Sequence, residues 1–237
     1  MNPGNPPPAL PWVARVQRSE AAAALFAELA RRVPDRGDAS VLVAVDGVDG
    51  AGKTVFADQF ATAIGATGRP VVRASVDDFH QPRAVSHRRG RNSPEGFWLD
   101  SFDVGALIRE LLDPLRDGRP VRLRWHDLTT DRHVDDPSIA VASGTVVVLD
   151  GLFLHRDELA SRWDLSLWLE APFAITAARM AVRDGSPADP SHPAMRRYVE
   201  GQRLYFAACS PRDRADLVVD NTDWTAPRLV ERPLRDG

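Results

Sequence analysis

Val41-Leu42-Val43-Ala44-Val45-Asp46-Gly47-Val48-Asp49-Gly50-Ala51-Gly52-Lys53-Thr54-Val55-Phe56-Ala57 is the stretch that decides the fold. Its first five residues are an apolar run, too short for a helix and typical of a strand buried on both faces. Gly47 to Thr54 completes the Walker A pattern, G-x-x-x-x-G-K-[ST]. From Val55 to Ile64 apolar residues recur at helical spacing, and Gly65 follows as a stop signal. Strand, glycine loop and helix therefore come in the order that phosphate binding requires. Glycines let backbone N–H groups turn inward, and the helix N-terminus adds the positive end of its dipole. Gly47, Asp49, Gly50, Ala51, Gly52, Lys53, Thr54 and Val55 are the residues expected around a nucleotide's phosphates, with the Thr54 hydroxyl on Mg²⁺.

Lys53 is the only lysine among 30 basic residues; the rest are arginine. A slim ammonium can thread into a phosphate-wrapping loop and act there as a point charge, which a planar guanidinium cannot.

The bulk of the chain sets limits on the partners. At 237 residues it fits one α/β domain with ample core. A net charge of −3 and a pI near 6.1 give no global footprint for nucleic acid. One cysteine, Cys209, rules out an intrachain disulfide, and neither a signal peptide nor a long apolar run is visible, which points to the cytoplasm and away from a membrane. Cys209 lies in an apolar helical stretch and reads as a small core residue. Five prolines in Met1 to Pro11 predict a disordered tail over 1–13, with a single domain over 14–237.

Within that domain a helix is expected from Ala14 to Val33, and a second strand from Pro70 to Val76 running into Asp77-Asp78-Phe79-His80. An arginine-rich loop should follow to about Leu99, then a helix from Phe102 to Leu112. Val121 to Trp125 alternates like a strand with one wet face. Thr145 to Gly151, Leu165 to Glu170 and Ala215 to Asp220 read as further strands, the last preceding an irregular tail. Pro172 opens a helix, and helical segments reach about Ala208. Strands alternating with helices imply a parallel sheet covered on both sides, with ligands at the carboxyl ends of the strands.

Three carboxylates fall at such ends. Asp150 closes Val146 to Leu149 and suits a Walker B role on Mg²⁺, or else caps the turn at Gly151. Asp77 and Asp78 close the second strand; a carboxylate there can align an acceptor hydroxyl and take its proton. On an extended backbone the two would point oppositely, so one of them should face the γ-phosphate. His80 and His126 read as substrate hydrogen-bonding groups or plain surface histidines; with His133 they lack the spacing of a zinc site. Arg179 and Arg183 share a helical face ahead of the hinge-like Asp184 to Pro190, and Arg196-Arg197 lie beyond. They read as a lid over about 179–200 whose arginines neutralise charge on a phosphoryl group in flight.

In combination these segments resemble the uridine kinase / phosphoribulokinase family of P-loop kinases over roughly residues 38 to 222. Asp77-Asp78-Phe79-His80 is similar to that family's D-[SD]-F-[YFH] segment, whose first aspartate is the proposed base, which favours Asp77 over Asp78. Ser93 to Phe97 resembles H-P-[DE]-A-F; Trp125-His126-Asp127-Leu128 resembles a stretch on a hairpin that covers the nucleoside; Arg179 and Arg183-Asp184 match R-x-x-R-D; Ala215 to Asn221 matches the closing strand. Asp150 is shorter than the usual glutamate, and the histidine that commonly follows the hairpin is replaced near Thr130-Asp131-Arg132.

The resemblance implies a P-loop NTPase three-layer α/β/α sandwich with a central, mostly parallel sheet and a lid. It implies an ATP- and Mg²⁺-dependent small-molecule kinase acting on a hydroxyl of a nucleoside or other ribose-bearing acceptor, most similar to uridine kinase. Asp77, Lys53, Arg179 and Arg183 would be catalytic, and Thr54 and Asp150 would serve the metal. Asp77, Phe79, His80, Arg83, Arg88, Phe97, His126 and Asp127 would bind the acceptor. Phosphoribulose, pantothenate, nicotinamide riboside and nucleoside monophosphates remain alternative acceptors, since a phosphorylated one would give Arg88, Arg89 and Arg91 a purpose. A nucleotide-dependent regulatory ATPase is the rival from another class, although Gln59 and Gln81, the glutamines nearest the nucleotide segments, sit in no switch motif. A homo-oligomer is left open.

Overall fold

The computed structural model describes residues 19–230. The tail expected at 1–13 and the start of the helix expected at 14–18 lie outside them. Within the described residues β1 (Val41–Gly47) is buried along its whole length, as its unbroken apolar run requires. It lies between β5 (Val146–Asp150) and β6 (Leu165–Glu170) and runs parallel to both. The sheet continues outward through β2 (Val71–Ser75) on one side, and through β7 (Leu217–Asp220) and the antiparallel edge strand β8 (Arg228–Val230) on the other. The order is β2-β5-β1-β6-β7-β8. β8 corrects the irregular tail expected after residue 220: Leu229 and Val230 pair with Val219 and Val218.

α1 (Glu20–Arg32) starts at Ser19, whose hydroxyl accepts from Ala22 N, and it packs on α2 (Lys53–Gly65). α2 in turn lies on β2 and β5. The expected arginine-rich loop contains two short helices, α3 (Arg83–Ser86) and α4 (Pro94–Asp100). The next helical stretch runs longer than expected, from α5 (Val104–Ala106) through a π-helical Leu107–Leu112 to α6 (Asp113–Arg116). Pro114 has no N–H for the Glu110 carbonyl. Arg122 N takes that carbonyl instead, at 2.9 Å. α7 (Asp157–Ala160), α8 (Phe173–Asp184), α9 (Arg196–Cys209) and α10 (Pro211–Arg214) complete the flanking layers. Gly201 lets α9 meet α4 closely, since a Cβ there would come within 2.8 Å of the Pro94 carbonyl.

Val121 to Trp125 is not the strand that its alternation suggested. Val121 makes one isolated bridge with Ile139, and the pairing begins at β3 (His126–Asp127), which forms a two-residue hairpin ladder with β4 (Arg132–His133). Arg124 faces outward because it binds Asp78 and Asp136, and Arg122 because it binds Asp135. The alternation recorded which side chains meet acidic partners, and no sheet ladder lies behind it.

Candidate active site

The carboxyl ends of β1, β2 and β5 converge on one cleft. After β1 the chain turns through Gly50 and Gly52, both at positive φ, and enters α2 at Lys53. Gly50 has a second reason to lack a side chain: a Cβ would stand 2.8 Å from the Thr176 carbonyl of α8. Lys53 Nζ donates to the carbonyls of Gly47 and Val48, at 3.2 and 3.0 Å. These are neutral partners inside its own loop.

Register places Asp150 beside β1, with Val45 as its Cα partner, and brings it to the first turn of α2. Thr54 Oγ1 donates to Asp150 Oδ2 at 2.8 Å, so the expected Walker A hydroxyl and Walker B carboxylate are in contact. Both are hard oxygen donors, the set that suits Mg²⁺ held largely by phosphates and water. Sequence reading missed Arg73, whose guanidinium reaches from β2 to the other oxygen of Asp150 at 2.8 Å and also donates to the Val148 carbonyl. Asp150 is 2 % exposed, and Arg73 supplies the cation that makes such burial tolerable. Gly151 is required by crowding, because a Cβ would fall 1.9 Å from Val76 Cγ1.

Asp77 and Asp78 do not lie on extended backbone. Val76–Phe79 is one 3₁₀ turn capped by Ser75, whose hydroxyl accepts from Asp77 N. The two side chains still diverge. Asp78 is turned to Arg124 at 3.3 Å, and burial, aided by Asp77 and Asp150, raises its pKa against the pull of Arg124. Asp77 keeps 64 % of its side chain exposed in the cleft, 3.7 Å from His80 Nε2. Burial of its surroundings pushes its pKa up, but His80, Lys53 and Arg183 outweigh that and hold the carboxyl below its ordinary value. Asp77 is thus the carboxylate within electrostatic reach of the loop lysine.

The arginine pair on α8 lines one cavity with different bonding partners. Arg183 reaches Asp77 electrostatically while held by Asp184 at 2.7 Å. Arg179 is turned to the opposite end of the loop, donating to the carbonyls of Asn221, Thr222 and Ala51. Its guanidinium lies 6.0 Å from the Trp224 ring, and both line a cavity of about 610 Å³ beside Gly52, Val55 and Thr222. The cavity is largely apolar and opens against the glycine loop. Arg183 lines the same cavity, so the two arginines share it, while Arg183 also acts on Asp77. Residues 185–194 are mostly exposed, and Arg197 is drawn away to the Arg91 carbonyl.

The expected acceptor residues fare unequally. His80 borders Asp77 and packs on Phe102, with ring centroids 4.4 Å apart. His126 is 3 % exposed; its Nε2 lies 3.4 Å from Asp131 Oδ1, and neither ring nitrogen has a hydrogen-bond partner. Arg83 closes onto the hairpin through Leu128 O and Asp131. Phe79 and Phe97 are corrected: both are buried in the main core, behind the cleft. Arg88 is corrected as well, because it and Arg89 both bind the buried carboxylate of Asp100. Asp127 is spent on the hairpin turn, accepting from Thr129 N and Thr130 N. Gln202, which sequence spacing gave no cause to consider, hydrogen-bonds Asp49 N of the glycine loop at 2.7 Å from α9.

Among the described residues no group of three or more His, Cys, Asp or Glu side chains could hold a metal on its own, and no helix is long and apolar enough to cross a membrane. The model of the phosphoribulokinase / uridine kinase family matches residues 42–209. A uridine kinase of Deinococcus deserti is 26 % identical over 192 residues, covering 79 % of this chain and 91 % of its own. A thymidylate kinase of Xanthomonas euvesicatoria is 32 % identical over 172 residues, 71 % of each chain. The solved structure of a possible uridine kinase from Bacillus stearothermophilus superposes with a TM-score of 0.66 at 21 % identity, over 82 % of this chain and 95 % of its own. The sheet order, the glycine loop with its Thr54–Asp150 contact, and a family match over most of the chain lead to one conclusion: the chain belongs to the phosphoribulokinase / uridine kinase family of P-loop kinases.

Proposed function

We propose that the chain is an ATP- and Mg²⁺-dependent kinase that transfers the γ-phosphate to a hydroxyl of a nucleoside or another uncharged ribose-bearing acceptor. The observation that carries this is Asp77, an accessible carboxylate at the carboxyl end of β2, 3.7 Å from His80, whose ionised form His80, Lys53 and Arg183 favour. Lys53 would leave its two carbonyls for β- and γ-phosphate oxygens, and Arg179 and Trp224 would flank the base. Thr54 and Asp150 would hold Mg²⁺, which supplies charge neutralisation across the β- and γ-phosphates when bound. Asp77 aligns the acceptor hydroxyl and receives its proton as the oxygen–phosphorus bond forms and the bond to the β-phosphate oxygen breaks. Arg183 offsets negative charge on the group in transfer.

An uncharged acceptor is supported by the fate of two of the three loop arginines Arg88, Arg89 and Arg91. Arg88 and Arg89, which a phosphorylated acceptor could have used, are committed to Asp100. His126 adds a ring nitrogen, Nδ1, without a hydrogen-bond partner on the hairpin that packs against the 3₁₀ turn bearing Asp77, a group suited to a polar but neutral substituent. A nucleoside monophosphate acceptor has one point in its favour, the thymidylate kinase relative.

The deciding test is ADP release against uridine, cytidine, other nucleosides, nicotinamide riboside, pantothenate, ribulose 5-phosphate and nucleoside monophosphates. Stimulation by an uncharged ribose-bearing acceptor is expected. Stimulation by a phosphorylated acceptor alone would overturn the assignment of acceptor class, and slow hydrolysis indifferent to every acceptor would favour a regulatory ATPase.

A further inference from the structure

The phosphate loop is held from outside by one helix. Gln202 and Tyr205 lie three residues apart on α9, hence on one face, and are 2 % and 1 % exposed. Gln202 Oε1 accepts from Asp49 N at 2.7 Å, while its Nε2 donates to Tyr198 O at 3.0 Å, which fixes the orientation of the amide. Tyr205 donates to Asp46 Oδ2 at 2.6 Å. Asp46 is a fully buried carboxylate at the end of β1, and its other oxygen accepts from Gly47 N at 2.7 Å. The two α9 side chains therefore grip Asp46 and Asp49, the two ends of the loop's first half.

Asp46 carries the connection further. Its Oδ2 also accepts from Leu154 N, His155 N and His155 Nδ1, at 3.0, 3.1 and 2.8 Å. Tyr205 accepts from His155 N at 2.9 Å. Leu154 and His155 belong to the chain that leaves Asp150, so one carboxylate fixes both segments of the phosphate site at once. Buried amides and hydroxyls stabilise a fold only when paired, and apolar side chains would pack α9 at less cost. Here, apart from the Gln202 bond to Tyr198 O within α9, every pairing runs to the loop or to the segment behind Asp150.

We propose that α9 is a brace that keeps the phosphate loop in its nucleotide-binding form, with Gln202 and Tyr205 as positioning residues. An amide held by Gln202 is not among those turned toward phosphate, so this bond selects which loop amides face the ligand. The brace deepens the kinase assignment above and rests on it only in taking ATP as the ligand.

The test is titration of Mg²⁺ and a fluorescent ATP analogue against the full chain carrying Gln202→Met or Tyr205→Phe, with kinetics and melting temperature measured in parallel. Methionine keeps the stem but offers no acceptor to Asp49 N; phenylalanine keeps the ring among Trp98, Phe153 and Phe206. If the loop then holds its binding form about a tenth of the time, the dissociation constant rises about tenfold. Gln202→Met is expected to show that rise, with Tyr205→Phe at about threefold on the same arithmetic. The KM of the acceptor should stay within twofold. ATP affinity within twofold of wild type in both variants, with a lowered melting temperature alone, would overturn the brace. Should Gln202→Met not fold, Tyr205→Phe decides by itself. A wild-type chain that binds ATP but phosphorylates no acceptor would defeat the acceptor assignment while leaving the affinity series to decide the brace.

Discussion

Replacing Asp77 with asparagine should leave ATP bound and almost stop turnover. The side chain keeps its size and its place beside His80, 3.7 Å away, but loses its charge and its capacity to take a proton. A positioned general base contributes about 10²–10⁴ in rate. The structure argues for the lower part of that range. His80, Lys53 and Arg183 hold the carboxyl below its ordinary pKa, so it is a weak base that accepts the proton only once transfer to phosphorus is well advanced. A loss of about 10²–10³ in kcat follows, or about 3–4 kcal/mol of transition-state stabilisation at 1.36 kcal/mol per factor of ten. ATP should bind as well as before or slightly better, since a carboxylate near the phosphates repels them by at most about 1 kcal/mol in a solvent-accessible cleft. The same depressed pKa fixes the acid side of the rate profile. Asp77 must be ionised to act, and activity that depends on it falls only as pH drops through a pKa below 3.8, well under the assay range. Coupled ADP-release kinetics with equilibrium ATP titration separates the two effects. Turnover within threefold of wild type, or a parallel loss of ATP binding, would refute the role.

Three further outcomes follow from contacts around the cleft. Gly151→Ala would drive a methyl group to within 1.9 Å of Val76 Cγ1 and displace the turn that carries Asp77; a fall in kcat with about 1–3 kcal/mol of destabilisation in a urea titration is expected. Arg179→Ala should raise the KM for ATP by about tenfold, as loss of a cation–π and carbonyl-bound cation worth about 1–2 kcal/mol would, with the acceptor's KM unchanged, because the guanidinium is bound to carbonyls of Ala51, Asn221 and Thr222 while Arg183 is the arginine that acts on Asp77. Asp100 tests pH-linked stability. Burial raises its pKa, but Arg88 and then Arg89 hold it below the ordinary value, so its contribution is present above the unfolded pKa and lost as pH falls through the folded one. Urea titrations followed by circular dichroism at a series of pH values should show the wild type losing stability as pH falls through the carboxylate range, while Asp100→Asn, less stable than wild type at neutral pH, should show a flatter dependence.

How much of this was legible in the sequence depended on whether a signal was local. The glycine loop was, because strand, turn and helix adjoin in the chain, and Thr54 and Asp150 each sit at a fixed place relative to a strand end. That they touch at 2.8 Å is a matter of parallel register between β1 and β5, which spacing alone cannot give. Arg73 and Gln202 were invisible for the same reason: each reaches the site from an element whose own pattern is ordinary, 77 residues from Asp150 in one case and 153 from Asp49 in the other. Arg88 shows the opposite failure. An arginine cluster advertises anion binding, but its anion proved to be Asp100, a dozen residues along the chain. Arg179 and Arg183 fall on one helix and line one cavity, as their spacing implied, but that Arg183 also acts on Asp77 while Arg179 binds the Ala51, Asn221 and Thr222 carbonyls is not given by spacing.

The contrast between the one lysine and the arginines around it now has a structural form. Arg73, Arg88, Arg89, Arg124 and Arg183 are each bound to a carboxylate, and Arg179 to three carbonyls, arrangements that a rigid five-donor fork satisfies and that hold the protein's own parts in register. Lys53 has only the Gly47 and Val48 carbonyls, both within the loop and both neutral. Exchanging a neutral carbonyl for a phosphate oxygen gains a charge–charge interaction and breaks no ion pair, whereas an arginine clamped to aspartate would leave a buried anion behind if it moved. A cation that must change partners with each turnover is best held loosely before the ligand arrives. Where an arginine is asked to do the same, as Arg183 is, its partner Asp184 is the adjacent residue and 40 % exposed, so solvent can stabilise the carboxylate that it releases.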